Sequence, residues 1–198
     1  MKLDLRFTPR PLETLWCEVV VAFVFKDAVN RGDGVSGLDD KTSGYLSCLW
    51  KRGFWTALEG ESLLVASQYM IKADKILLKG LGSRAGYRLE NFAERLEEIG
   101  DTLERMGVKD IGIRIPVLEE LEGGYHSQLR LACEHLVTPF LLRHGDEPDF
   151  LLKIVVSMDD KFFTKFDPTA QLLKKHFASR LEHTIIFDKK LDNASETP

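Results

Sequence analysis

Seven consecutive apolar residues, Val19-Val20-Val21-Ala22-Phe23-Val24-Phe25, set the terms for the rest of the chain. The run is far short of the ~20 residues that span a bilayer. β-Branched and aromatic residues dominate it, so residues 17–25 read as a strand buried on both faces. A strand with no polar side needs cover above and below its sheet. That requirement points to helices on both faces of a parallel or mixed sheet.

The flanking sequence supplies those helices, alternating with further strands. Residues 3–7 alternate with period two, as in an outer strand, and Pro9 and Pro11 then break the chain. Asn30-Arg31-Gly32-Asp33-Gly34 reads as a loop. One helix is predicted from Ser36 to about Gly53, with Ser36 as its cap, Asp39 reaching back to it, and Gly44 inside it. Strands over 62–67 and 74–79 follow, as a hairpin or as sheet neighbours. The clearest helix runs from 89 to 106: Leu89, Phe92, Leu96, Ile99, Leu103 and Met106 form one apolar stripe, and Gly107 ends it. A strand over 110–115 precedes a helix over 124–137, which Pro139 is predicted to end or kink. A strand over 150–158 comes next. A helix capped by Asp167, with Pro168 in its first turn, runs to about Glu182, and residues 183–187 form the last strand. The reading is an α/β three-layer sandwich with a mixed, mostly parallel sheet.

Composition narrows the function classes. With 198 residues the chain suits one domain, expected over 1–188, with a polar tail at 189–198 expected to be disordered. Its net charge of −4 gives no general field for nucleic acid or anionic lipid, so no membrane partner is expected. The N-terminus lacks the apolar core of a signal peptide. Cys17, Cys48 and Cys133 are few and widely spaced, as in reduced thiols of a cytoplasmic protein.

The most suggestive local motif is Gly80-Leu81-Gly82-Ser83-Arg84-Ala85, which follows a strand and fits a G-x-G-x-x-A dinucleotide fingerprint. There, backbone amides and a helix N-terminus would receive a pyrophosphate. The next helix starts several residues late, however, and the next strand ends in Arg114-Ile115-Pro116 where a ribose-binding carboxylate would stand. A structural glycine turn is the preferred reading. His126, His135 and His144 are spaced by nine residues, about 180° apart on a helix, and cannot converge on one metal ion. No G-x-S-x-G elbow occurs. Asp159-Asp160 reads as a solvated turn. Trp50, Phe54 and Trp55 form a dense aromatic group around Gly53, read first as core packing and, if exposed, as a partner interface.

The middle of the chain resembles the N-terminal domain of the leucyl aminopeptidases, the cytosol aminopeptidase family. Leu38-Asp39-Asp40-Lys41-Thr42-Ser43-Gly44-Tyr45-Leu46, with Leu49 and Lys51-Arg52-Gly53, looks like that family's helix and basic-Gly turn. Gly60-Glu61-Ser62-Leu63-Leu64-Val65 is similar to its G-[DEQ]-[ST]-L-L strand. Ala73-Asp74-Lys75-Ile76-Leu77-Leu78-Lys79-Gly80-Leu81-Gly82 is similar to its R-[IV]-L-L-V-G-L-G strand and turn. The order holds over roughly residues 3–157. The resemblance implies a macro-domain-like fold, a mixed six-stranded sheet between helices. It also implies that the family's metal ligands and catalytic groups belong to a separate C-terminal domain, marked by an N-T-D-A-E-G-R segment that nothing after Phe150 matches. No catalytic residue, metal ligand or cofactor is therefore carried over, and the chain is expected to stand alone without that domain.

The resemblance implies an oligomerisation, regulatory or partner-binding module, since the family's N-terminal domain supports hexamer assembly. The partner would be a second copy or a catalytic aminopeptidase chain, as in a split metallo-aminopeptidase. Trp50, Phe54 and Trp55 are the candidate interface. In some bacterial members the domain takes part in DNA binding, which the acidic balance here argues against. The alternative is a macro-like binder of a nucleotide or ADP-ribose-type ligand. Its candidate contacts are Gly80, Leu81, Gly82 and Ser83, with Gly32 and Gly34 opposite. Assembly or catalytic-chain binding, ligand capture and outright aminopeptidase activity are separable by light scattering, thermal shift and a leucine-anilide assay.

Overall fold

In the computed structural model, which describes residues 1–27, 35–85, 87–117 and 124–188, the apolar run becomes β2 (Val19–Val24), buried at every position. Six further strands join it: β1 (Lys2–Thr8), β3 (Ser62–Ala66), β4 (Lys75–Gly80), β5 (Asp110–Arg114), β6 (Leu151–Ser157) and β7 (Glu182–Phe187). Their spatial order is β3-β4-β2-β5-β6-β1-β7. Five pairings are parallel, and β3 with β4 is antiparallel. The sheet is therefore mixed and mostly parallel, as expected. It has seven strands, one more than the resemblance implied, because β7 adds beside β1. Gly32, Gly34 and the expected tail lie outside the described residues.

Two apolar clusters fill the sides of the sheet. On one side α3 (Leu89–Arg105), α4 (Gly124–His144) and α5 (Asp167–Ala178) bury Phe92, Leu96, Ile99, Leu129, Phe140 and Leu173 against Leu3, Leu5, Phe7, Val21 and Ile154. On the other, α1 (Ser36–Lys41), α2 (Tyr45–Lys51) and the strap around a 3-10 turn at Leu12–Thr14 cover Val20, Ala22, Val24, Ile76 and Leu78. Helices thus lie on both faces, but the second layer is partial. Beyond β2 the same side of β1, β5 and β6 carries charged pairs, Arg6–Asp4 at 2.8 Å and Lys153–Asp110 at 2.7 Å, beside buried Val155 and Ser157 of β6. The period-two alternation in β1 has this cause: Leu3, Leu5 and Phe7 face the helices and Asp4 and Arg6 face water.

Local expectations in three places need correction. The helix predicted from Ser36 to Gly53 is two helices. Ser43 and Gly44 take the left-handed conformation, with φ of 55° and 76°, and break it. Asp39 does not reach back to Ser36; its carboxylate accepts from the amide of Ser47 (2.9 Å) and from its hydroxyl, capping the first turn of α2 across the break. Pro139 does not end α4, which continues to His144. Its ring packs where Gly100 of α3 comes closest, since a Cβ on Gly100 would stand 2.6 Å from the Leu136 carbonyl and 3.1 Å from Pro139 Cγ. Finally, Asp167 lies one residue inside α5 rather than at its cap, and α5 ends at Ala178 because β7 takes over at Glu182.

The carboxyl ends of the strands as the candidate functional site

All six parallel strands end on the same edge of the sheet, where α/β proteins place their ligands. The glycine turn stands there, at the end of β4. Gly80 is required by a close approach: a Cβ at this position would lie 2.3 Å from the Leu58 carbonyl oxygen. The turn is closed by protein partners. The Gly80 amide donates to Glu61 O (2.8 Å), that of Leu81 to Val24 O (2.9 Å) and that of Gly82 to Ala57 O (3.0 Å). Three of the four amides expected to face a phosphate are therefore engaged within the fold. The turn is thus braced within the fold through Gly80, Leu81 and Gly82.

The side chains exposed beside the turn are different ones. Ser83 is exposed, and its hydroxyl reaches Asp27 at 3.4 Å. The Arg84 amide donates to the same carboxylate at 3.1 Å. The Arg84 guanidinium sits 5.0 Å over the Phe25 ring, and Tyr87 meets that ring edge-on at 5.4 Å. The Tyr87 hydroxyl is buried with no hydrogen-bond partner among the described residues, and burial pushes this phenol well above its ordinary pKa.

Across the edge, at the ends of β5 and β6, Arg114 pairs with Asp159 at 2.5 Å. The acidic pair read as a solvated turn is therefore anchored through its first residue. Beyond it an aromatic layer closes the ends of β6, β1 and β7. Tyr125 stacks on Phe162 at 4.0 Å, and Phe166 contacts Phe7 at 4.6 Å and Phe187 at 4.8 Å. This half of the strand-end cleft is filled by side chains.

Of the aromatic group around Gly53, Trp55 is in the core at 4% exposure, stacked edge-on against half-buried Trp50 at 5.7 Å. Phe54 stands out at 69% exposure. An interface on this triplet reduces to Phe54. Among the described residues no three His, Cys, Asp or Glu side chains could hold a metal ion, and no helix is long and apolar enough to cross a membrane. The histidines are tied individually: His135 to Glu97, His144 to Glu104 and Glu147, and His176 to Glu134. A second concavity, about 150 Å³, lies on the charged sheet face between Arg6, Arg10, Leu15, Trp16, Lys153 and Asp188.

Residue-level reading missed Asp27, Arg84 and Tyr87. Asp27 follows the apolar run by two positions, and Arg84 and Tyr87 flank the glycine turn. Their convergence depends on β2 and β4 being sheet neighbours, which the sequence does not state.

The sequence model described as the cytosol aminopeptidase family, N-terminal domain, matches residues 20–138. This chain belongs to that family. The matched segment holds β2 to β5, α1 to α3 and most of α4, including every motif quoted above. Among relatives of the cytosol aminopeptidase family, a probable cytosol aminopeptidase of Pseudomonas fluorescens is 29% identical over 130 residues, which are 66% of this chain and 25% of that protein. One from Pseudomonas aeruginosa is 28% identical over 105 residues, 53% of this chain and 21% of that protein. The chain thus spans about a quarter or less of these relatives' length. Among solved structures, a tomato leucine aminopeptidase mutant superposes with a TM-score of 0.55 at 11% identity, over 86% of this chain and 36% of the other. A Trypanosoma brucei macrodomain in complex with ADP-ribose gives 0.63 at 18% identity, over 84% and 68%. These identities speak for the fold alone: this member of the family has a macrodomain-like fold.

Proposed function

We propose that the chain acts as a cytoplasmic, non-catalytic assembly module that docks on a second copy or on a catalytic aminopeptidase chain. The observation that carries this reading is the rigid presentation of large apolar side chains on the segment between α2 and β3. Phe54 and Leu58 are 69% and 52% exposed, yet their segment is pinned. The Glu61 carboxylate accepts from Thr56 N (3.1 Å), Thr56 Oγ1 (2.9 Å) and Leu58 N (3.0 Å), and Gly82 N donates to Ala57 O. A pinned loop holding apolar groups in water is pre-organised for a partner, because little ordering entropy remains to be lost on docking. Light scattering on the chain alone and mixed with a full-length cytosol aminopeptidase tests it. Complex formation weakened by Phe54→Asp is the expected result, and a strict monomer that ignores the partner overturns it.

A second reading takes the strand-end edge as a site for a nucleotide or ADP-ribose-type ligand. It is supported by the Phe25–Tyr87 wall, the Arg84 guanidinium beside it and the buried Tyr87 hydroxyl, which has no hydrogen-bond partner among the described residues. With the turn amides engaged, such a ligand would be held by side chains. Thermal shift with ADP-ribose and nucleoside diphosphates should show stabilisation rising with concentration, and no shift at millimolar ligand removes this reading.

A further inference from the structure

We propose that two copies of this chain pair through β3, edge to edge about a two-fold axis, extending the sheet across both molecules. The inference rests on the assembly reading above and names its surface.

β3 is the outer strand of its end of the sheet. Its register with β4 fixes which of its backbone groups are free. Ser67 N donates to Asp74 O, and Gly80 N donates to Glu61 O. The hydrogen-bonded positions are therefore 61, 63, 65 and 67, and Ser62, Leu64 and Ala66 turn their N–H and C=O groups outward. Among the described residues no backbone partner meets those six groups. The side chains of Ser62, Leu64 and Ala66 share one face and are exposed, Leu64 at 46%.

Natural sheets blunt free edges with lysine, proline, a bulge or an inward charge. The strand Ser-Leu-Leu-Val-Ala carries none of these. The two lysines in register with it, Lys75 and Lys79, belong to β4 and not to the edge strand, and Lys79 is buried in an ion pair with Glu98 at 2.9 Å. The opposite edge of the sheet differs: β7 begins with exposed Glu182, paired with Lys2.

The occupant is identified by self-complementarity. An antiparallel pair with Leu64 opposite Leu64 places Ser62 opposite Ala66 in both directions. All three outward N–H groups then meet outward carbonyls, no charge meets a like charge, and the two leucine side chains cover one another. The arrangement is isologous and closes at two subunits, whereas β3 on β7 would be heterologous and build a ring or a filament. Leu58 and Phe54 lie on the segment leading into β3, so the pinned apolar loop continues this edge.

The test is light scattering of the whole chain as a function of concentration, with amide hydrogen exchange on the same samples. A particle of twice the 22.5 kDa chain mass is expected. Exchange at Ser62, Leu64 and Ala66 should slow as concentration rises, while Leu63 and Val65 are protected throughout. Leu64→Lys should weaken association by about tenfold or more, and Leu142→Lys, on exposed α4 surface, should leave it unchanged. Thermal unfolding of both variants checks their folding, and the wild-type exchange pattern decides the matter if Leu64→Lys does not fold. A dimer that survives Leu64→Lys with those three amides still exchanging fast overturns edge pairing but leaves assembly through another surface standing. A wild-type monomer at every concentration also overturns it, and mixing with a catalytic chain then judges the assembly reading separately. Slowed exchange at the three amides only on adding an unrelated extended peptide, without self-association, overturns it in favour of a peptide-binding edge.

Discussion

Lys79 Nζ lies 2.9 Å from Glu98 Oε2, joining the buried end of β4 to the middle of α3 through a lysine whose side chain is 5% exposed. Gly60 O at 2.7 Å and Ser62 Oγ at 3.1 Å complete the lysine's shell, and Arg95 holds the other oxygen of Glu98 at 2.7 Å. Removing one partner of such a pair costs most when it strands the buried charge. Glu98→Ala should therefore lower stability by ~2 kcal/mol and Lys79→Met by less, because Glu98 keeps Arg95 and water. Urea midpoints of the two variants check the order; equal losses would show that the ammonium does not need its carboxylate.

Gly80→Ala should destabilise by roughly 1–3 kcal/mol, the usual cost of overpacking. The added methyl would stand 2.3 Å from the Leu58 carbonyl and must push the 57–61 segment off the end of β4. Since that segment carries Leu58, the same change should weaken self-association, readable in one concentration series.

Thiol chemistry should be unequal. Burial pushes the Cys17 thiol up to about 12, with Asp110 adding to the effect, and burial likewise raises that of Cys133. Both stay protonated at neutral pH, when only the thiolate reacts, and Cys133 is buried besides. Iodoacetamide at pH 8 should modify one thiol per native chain, at half-buried Cys48, and three after unfolding. Mass spectrometry counts the adducts.

Burial holds the His176 imidazole below its ordinary value, against the pull of Glu134 at 3.4 Å, with Arg180 and Arg130 assisting burial. Between that lowered value and 6.5 the unfolded chain takes up a proton that the folded chain refuses. This residue's contribution therefore favours folding at neutral pH and is lost as pH falls through that window. Proton NMR should place the His176 midpoint below 6.5, and His176→Gln should flatten the decline in stability between pH 7 and 5.

How far the fold was legible follows from where each signal is stored. The strands and α3 are written in local periodicity: all-apolar residues 19–25, and a stripe that the helix buries from Phe92 to Leu103. The break at Ser43–Gly44 was hidden because Gly44 sits in a pattern that suits a helix on both sides. The cap that makes two helices stable comes from Asp39, eight residues before Ser47. Pro139 misled for a related reason, since a helix held along its length by α3 can absorb one missing hydrogen bond. At the candidate site, the position of the glycine turn was readable and its availability was not. Whether an amide faces a ligand or a neighbour depends on residues 57–61 folding back over Gly80, a tertiary event with no local mark. The reduction of the Trp50, Phe54 and Trp55 group to one exposed ring has the same origin.

β1 is inserted between β6 and β7, with Lys2 in register with both Leu151 and Glu182. On the ribosome this strand is made before β6 and β7 and can be seated between them only after both have been made. Leu3, Leu5 and Phe7 must remain unburied while the β2–β5 half of the sheet is translated and collapses. Seating β1 therefore joins segments far apart in the chain, the kind of long-range pairing that forms slowly and leaves an apolar strand exposed while it waits.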